Sequence, residues 1–118
     1  MTGAAGGLSG GLWAAFGAHL IPGAASVLGL LGFDRRLEDA DAAITGEGRL
    51  DAQSRQGKLT GEVARRCRAA GVPCHVVAGE IALNPQDEAW FRFATLGSAS
   101  SEESIIGTAE RIAASAAG

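Results

Sequence analysis

Apolar residues recur three and four apart through the first part of the chain. Leu8, Leu12, Trp13, Phe16 and Leu20 share one helical face, which predicts a helix within residues 3–20. Gly10, Gly11 and Gly17 each weaken such a helix by about 1 kcal/mol relative to alanine, so their use predicts close packing against another element. Pro22 and Gly23 end the segment. Val27, Leu28, Leu30 and Leu31 predict a second, short helix over 24–32 that stops at Gly32, and Asp34 is placed to cap a turn over 35–39.

The pattern then changes period. Residues 41–45, Asp-Ala-Ala-Ile-Thr, read as a short buried strand. Residues 46–51 follow with two glycines among alternating charges, a composition that builds no core, so a loop is predicted at the strand's carboxyl end. Thr60 is placed to cap a helix reaching Ala70, with Val63, Ala64, Cys67 and Ala70 inward and Arg65, Arg66 and Arg68 outward. Glu62 and Arg66 stand four apart as an ion pair, and Gly71 and Pro73 give the stop. Residues 74–78 form a second strand, 79–86 a loop, 87–90 a helical turn and 91–96 a third strand. Ser100 and Glu103 suggest a capping box for a last helix carrying Ile105, Ile106, Ala109, Ile112 and Ala116 on one face. Strands alternating with helices predict an α/β fold, a largely parallel Rossmann-like or flavodoxin-like sheet of about three strands flanked by helices.

Composition qualifies the core. Hydrophobic residues are 47% of the 118, but 24 are alanine and a further 18 residues are glycine. Burial free energy follows apolar area, so this core is either thin or completed by other chain. The net charge of −3 offers no basic footprint for a nucleic acid. No apolar run approaches the roughly 20 residues that span a bilayer, and no basic residue precedes the first apolar stretch as in a signal peptide. Cys67 and Cys74 make neither a disulfide framework nor a zinc site, and Cys67 falls on an apolar helix face. The expectation is a reduced, soluble, cytoplasmic chain with no nucleic-acid or membrane partner.

Candidate chemistry concentrates at 45–58. In open parallel sheets ligands bind beyond the carboxyl ends of strands. Glu47, Asp51, Arg49, Gln53 and Ser54 put two carboxylates, a guanidinium, an amide and a hydroxyl there. Gly46 and Gly48 let backbone N–H groups approach an anion, and Gly57-Lys58 precedes a helix N-terminus, a favourable phosphate position. On these residues alone a solvated loop with internal ion pairs is an equal reading. The spacing is not that of a Walker A loop.

The run Thr45-Gly46-Glu47-Gly48-Arg49-Leu50-Asp51-Ala52-Gln53-Ser54, followed by Gly57-Lys58, resembles the signature of the bacterial glycerate kinase family (type I). Gly3-Ala4-Ala5-Gly6-Gly7-Leu8, Gly32-Phe33-Asp34, Gly71-Val72-Pro73, Ala78-Gly79 and the 101–116 helix resemble it too, while Leu59-Thr60 replaces the family's small residue and proline. The resemblance implies a single α/β segment over 1–118, the C-terminal part of a larger two-domain enzyme. Residues 1–40 would be a helical Gly/Ala-rich lead-in, and 41–118 a strand-loop-helix layer with its active-site loop at 45–58. It implies transfer of the γ-phosphoryl of ATP to D-glycerate with Mg²⁺. Glu47, Arg49, Asp51 and Lys58 would be catalytic, with Asp51 as base and Glu47 as metal ligand, either carboxylate being able to hold the metal. Gly46, Gly48, Gln53, Ser54, Gly57, Gly3, Gly6 and Gly7 would bind substrate or phosphate. Gln53 and Ser54 also read as caps of the turn, which is the better reading for Ser54, and Arg49 reads nearly as well as the ion-pair partner of Glu47 or Asp51. Two functions follow: an enzyme part active with a complementing N-terminal chain, or a non-catalytic module that binds an anion or self-associates.

Overall fold

The computed structural model describes residues 2–116, so Met1 and residues 117–118, the ends of the expected segment, lie outside the described residues. A short 3-10 turn (Ala4–Gly7) leads into α1 (Leu8–Phe16), followed by α2 (Gly23–Leu30) and α3 (Phe33–Leu37). Next come β1 (Ala43–Asp51), a 3-10 turn (Ala52–Arg55), α4 (Leu59–Ala70) and β2 (Cys74–Ala82). The chain ends in α5 (Pro85–Phe91), β3 (Thr95–Ser98) and α6 (Glu102–Ala116). The three strands are parallel in the order β1-β2-β3, and helices flank them, as the alternating pattern predicts. No helix among the described residues is long and apolar enough to cross a membrane.

β1 is longer than the sequence suggests. It runs through the expected loop at 46–51, in register with β2 from Ala43↔Cys74 to Asp51↔Ala82. β2 likewise absorbs residues 79–82, which the pattern assigns to a loop. Backbone pairing between two equally long strands does not need a core side chain at every second position. It does need room where the strands twist. Ala43 and Leu50 both pack in the core that α4 covers, and so do Ala78 and Ile81, so strict alternation breaks between each pair. Gly48 and Gly79 lie at the break, and a Cβ on Gly79 would stand 2.7 Å from the Gly48 carbonyl oxygen.

The main core joins Leu28 of α2, Leu37 of α3, Leu50 of β1, Val63 and Cys67 of α4, and Phe91 of α5. A smaller one, Val77, Ala99 and Ile112, lies where α6 covers the sheet. Cys67 and Cys74 are free and buried. The hydrogen bond that Cys74 donates to Cys67, with burial, pushes the Cys74 thiol well above its ordinary range, which makes it inert. Phe91 closes α5 and stacks on Phe93 instead of opening β3, which begins at Thr95.

Several caps differ from expectation. Lys58, not Thr60, is the N-cap of α4, and Thr60 is buried in its first turn. Left-handed Gly32 precedes α3, so Asp34 sits in the first turn and accepts from Arg66 at 2.7 Å. Ser101 and Ser104 form the reciprocal hydroxyl-to-amide pair before α6, one residue beyond the expected Ser100 and Glu103. Ile105 and Ile106 on α6 stay about half exposed while Ile112 is buried. Gly17 ends α1 in the left-handed region, and a Cβ on Gly11 would meet open space, so close packing does not explain either glycine.

Arg66 is not a solvated surface residue. Its guanidinium reaches Glu62 at 2.8 Å, Asp34 at 2.7 Å and the Ala25 carbonyl at 3.0 Å, which fastens α2 and α3 to α4. Hydrogen bonds from Arg65 and then Arg66 hold the Glu62 carboxyl at about 2, well below its ordinary 4.5. A folded-state value below the unfolded one stabilises above the unfolded value and loses that stabilisation as pH falls through the folded value. The contribution of Glu62 is therefore full above about pH 4.5 and fades toward pH 2. Glu62→Gln is expected to flatten the pH dependence of stability in that window and to cost about 1 kcal/mol at neutral pH, as read by urea denaturation across a pH series.

Gly61 lets the first turn of α4 rest on the turn before it, because a Cβ there would collide with the Ser54 backbone carbonyl. A carbonyl has no flexible end to move aside. Gly61→Ala is expected to lower stability by about 2–3 kcal/mol in chemical denaturation, whereas Gly11→Ala, facing open space inside α1, should raise helix stability by up to about 1 kcal/mol.

Candidate active site

The functional segment is a strand, a tight turn and a helix start. Asp51 ends β1 and caps the turn: its Oδ1 accepts the Gln53 N–H at 2.9 Å, while the Ser54 hydroxyl accepts the Asp51 N–H at 3.3 Å. Ser54 is fully buried in that role, which is the cap reading of this residue. Gly57 then takes a φ of +73°, open to glycine at little cost, and the chain enters α4 at Lys58. The Lys58 ammonium comes to 3.4 Å from Glu47 Oε1. Glu47 is largely buried, and its other oxygen, Oε2, is buried with no hydrogen-bond partner.

Arg49 turns sideways along the sheet. Its Nη1 lies 3.1 Å from both oxygens of Glu80 on β2, and its Nε lies 3.5 Å from Asp51 Oδ2. Glu80 escaped the sequence reading because it sits in the part of β2 read as a loop. Its signal is register: Arg49 and Glu80 are direct partners across the strands. A second unforeseen pair supports the turn from below. Arg55 Nη1 donates to the buried Asp87 at 2.7 Å, and its guanidinium lies 5.0 Å from the ring centre of Trp90. Arg68 approaches the same ring at 5.3 Å, so Trp90 is a packing platform for two cations.

A cavity of about 660 Å³ opens over the first half of β1 and the middle of β2, beside the carboxyl end of β3. Gly46, Glu47, Gly48 and Gly79 form its strand side, and Ser100 and Ile105 form its α6 side. Lys58 reaches this place only through Glu47. Arg49, Asp51, Gln53 and Ser54 do not line it, so the expected convergence of Glu47, Arg49 and Asp51 on one pocket does not occur. The reason is strand geometry: a continuous strand with a ready anion at Glu80 draws Arg49 sideways, whereas a loop could have folded it inward. Gly3, Gly6 and Gly7 are also elsewhere. Gly6 and Gly7 shape the left-handed turn before α1, and neighbouring Ala4 lines a separate cavity of about 620 Å³ with His19, Gln56 and Gly57.

Residues 1–116 match the family model described as the Glycerate kinase family. The chain belongs to that family. A glycerate kinase of Halalkalibacterium halodurans is 47% identical over 80 residues, 68% of this chain and 21% of that protein. Glycerate kinases of Neisseria meningitidis serogroup B and Bacillus subtilis are 43% and 41% identical, each over the same shares. A solved chain described as glycerate kinase 2 of Salmonella typhimurium LT2 is 31% identical at a TM-score of 0.49, over 77% of this chain and 28% of its own. The chain thus spans about a fifth of the length of the curated relatives it matches.

A kinase family suggests nucleotide use, and nucleotides travel with Mg²⁺. The described residues contain no group of three or more His, Cys, Asp or Glu placed to hold a metal ion. Mg²⁺ in phosphoryl transfer needs less, one or two carboxylates with water and substrate phosphates completing its shell. The unpartnered Oε2 of Glu47 fits that demand. Asp51 fits it less well, since one of its oxygens caps the turn and the other faces Arg49. His75 is buried with both ring nitrogens unpartnered among the described residues; it lies near the amino-terminal end of β2, paired with Ile44, and is not among the residues that line the cavity.

Asp87→Ala should release Arg55 and loosen the 52–55 turn. The expected loss is about 2 kcal/mol in urea denaturation, the scale of a charge-assisted hydrogen bond, and Arg55→Ala should cost a similar amount that does not add to it.

Proposed function

We propose that this glycerate kinase family chain forms the phosphate-handling part of an enzyme that phosphorylates D-glycerate with ATP, in the manner of a glycerate 2-kinase. The observation that carries the reading is the Glu47–Lys58 pair, one carboxylate oxygen left free, beside a glycine-edged cavity that crosses the middle of the parallel sheet. In this reading the residues of the 45–58 segment take adjusted roles. Glu47 offers its free oxygen to Mg²⁺, which when bound offsets the charge of the polyphosphate. Lys58, at the amino end of α4, exchanges its contact with Glu47 for the transferring phosphoryl, where a point charge and the helix dipole act together. Gly48 leaves open space above the strand, so phosphate can approach the backbone there.

Arg49 remains well exposed and presents a planar fork to the carboxylate of glycerate, with Asp51 and Glu80 holding its orientation. Asp51 acts on substrate through Arg49 and the turn, in place of the base role its motif suggests. Gln53 and Gly57 belong to the same turn, while Ser54 supports it as a cap. In the transfer, the bond from the γ-phosphorus to ADP breaks as the bond to a glycerate hydroxyl oxygen forms, and the hydroxyl proton passes to a carboxylate of this cluster. The apolar wall from Ile44, Val77 and Ile105 suits a nucleotide base. The substrates are small molecules, and the setting is the cytoplasm.

For the chain by itself a second reading has its own support. α1 buries none of its residues, which suits a non-catalytic module that self-associates or binds an anion until other chain completes it. The deciding experiment places this chain within a full-length relative, in exchange for the segment it matches, and follows ATP consumption with D-glycerate. The expected outcome is glycerate-dependent turnover that falls about 10²–10³-fold in Glu47→Gln and in Lys58→Met with circular dichroism unchanged. A folded chimera without turnover, or variants that keep full turnover, would overturn the proposal.

A further inference from the structure

Two thiols meet where the last turns of α4 reach β2. Cys67 is fully enclosed, and Cys74, the first residue of β2, is nearly so. Both belong to the main core, and the Cys74 thiol donates a hydrogen bond to the Cys67 sulfur. That bond is the chief reason the Cys67 thiol lies below its ordinary range, against the opposing effect of burial. Phosphoryl transfer uses neither residue.

The backbone holds the pair in place. Six residues, 68–73, separate the two. Gly71 ends α4 in the left-handed region, and the Val72 N–H donates to the Cys67 carbonyl at 2.9 Å. The Pro73 carbonyl accepts from Ala43 at 2.9 Å, and the Cys74 carbonyl accepts from Ala94 at 2.7 Å. Cys67 is thus tied to a helix end, and Cys74 to the starts of both neighbouring strands. Two sulfurs in hydrogen-bond contact on so fixed a frame need side-chain rotation to become a bond, not a rearranged chain.

A path from solvent ends at the pair. A cavity of about 290 Å³ is lined by Ala64, Arg68, Gly71, Cys74, Phe91 and Arg92. Ala64 and Gly71 stand three residues before and four after Cys67, so Cys67 lies one side chain behind the cavity wall. Arg68 and Arg92 are cations beside it, which favour a thiolate and the hydroxide it expels.

We propose that Cys67 and Cys74 form a redox-sensitive switch, a thiol pair that a small hydroperoxide converts to an intrachain disulfide bolting α4 to β2. The switch is independent of the phosphoryl-transfer reading. The Cys67 thiolate attacks one oxygen of hydrogen peroxide. The S–O bond forms as the O–O bond breaks, and the departing hydroxide takes up the proton that Cys67 gave to solvent, making water. Cys74 is inert toward an outside reagent while its proton stays on sulfur, but it touches the new sulfenic acid. The S–S bond forms, the S–O bond breaks, and the Cys74 proton leaves with the hydroxyl as a second water. Two electrons pass from the two sulfurs to the peroxide. The closed loop restricts the unfolded chain, so the oxidised form resists unfolding.

The test exposes the folded, fully reduced chain to hydrogen peroxide and, separately, to oxidised glutathione, which is too large for the cavity. Intact mass and peptide mapping are the readouts. Peroxide is expected to remove two hydrogen masses, to join the peptides that hold Cys67 and Cys74, and to raise the urea midpoint, all reversed by dithiothreitol. Oxidised glutathione should leave the folded chain unchanged over the same time and react once urea opens the core. Cys67→Ser and Cys74→Ser should each abolish the two-hydrogen loss, and the mass of the unsubstituted chain decides the matter even where a serine variant fails to fold. Peroxide that leaves both thiols free, or adds oxygen without a cross-link, overturns the proposal. So does a disulfide that forms only between two chains or only in urea, and so does equal reaction of the folded chain with oxidised glutathione.

Discussion

The rest of the molecule depends on how closely β1 and β2 approach at Gly48 and Gly79. The carbonyl of one glycine occupies the space a side chain on the other would need. That approach lets both strands turn over their faces at the same level and continue in register to Asp51 and Ala82. Without it the strands would part at residue 47, Leu50 would leave the core, and the Asp51 cap would lose its fixed starting point. The glycine-and-charge run is thus not a flexible loop but a strand bent by its partner. Its charged side chains inherit positions from a hydrogen-bonded ladder, which is a more precise support than a loop gives.

The order of elements was legible because it rests on local signals: helical spacing at 8–16, a strong amphipathic face at 59–70, Gly71 and Pro73 after it, and the apolar run at 74–78. The extensions of β1 and β2 were not, because a strand of glycines and charges carries no period of its own and exists only through its partner. The same holds for β3, whose start moved past Phe91 once that ring found the core beside Phe93. Caps shifted by a residue or two because several hydroxyl, carboxylate and glycine candidates stand close together. Of the site, the Asp51–Ser54 turn and the Gly57-Lys58 helix start could be read from residue types in sequence. Glu80, Asp87 and the sideways course of Arg49 could not, since each depends on residues more than thirty positions apart.

Charge at the site divides into two groups with different freedom. Arg49 shares its charge with Asp51 and Glu80 on an exposed stretch, where water screens the attraction and a substrate carboxylate competes on even terms. Glu47 is largely enclosed, and one of its oxygens is buried with no hydrogen-bond partner in place of its hydration. Such a group is costly to leave alone and rewards any cation or donor that arrives. Glycine on both sides of Glu47 keeps that approach open.

The three-way grip of Arg66 also sets which parts of the chain can come apart together. By holding Asp34, Glu62 and the Ala25 carbonyl at once, it makes α2 and α3 share the fate of α4 and the sheet. α1 lies outside that grip, joined through residues 17–22. The chain therefore opens in two stages, an outer one at α1 with little resistance and an inner one that must break the arginine and the core in a single event. Amide exchange would register this as a step at Gly17, and a protease would find its first cut between Gly17 and Pro22.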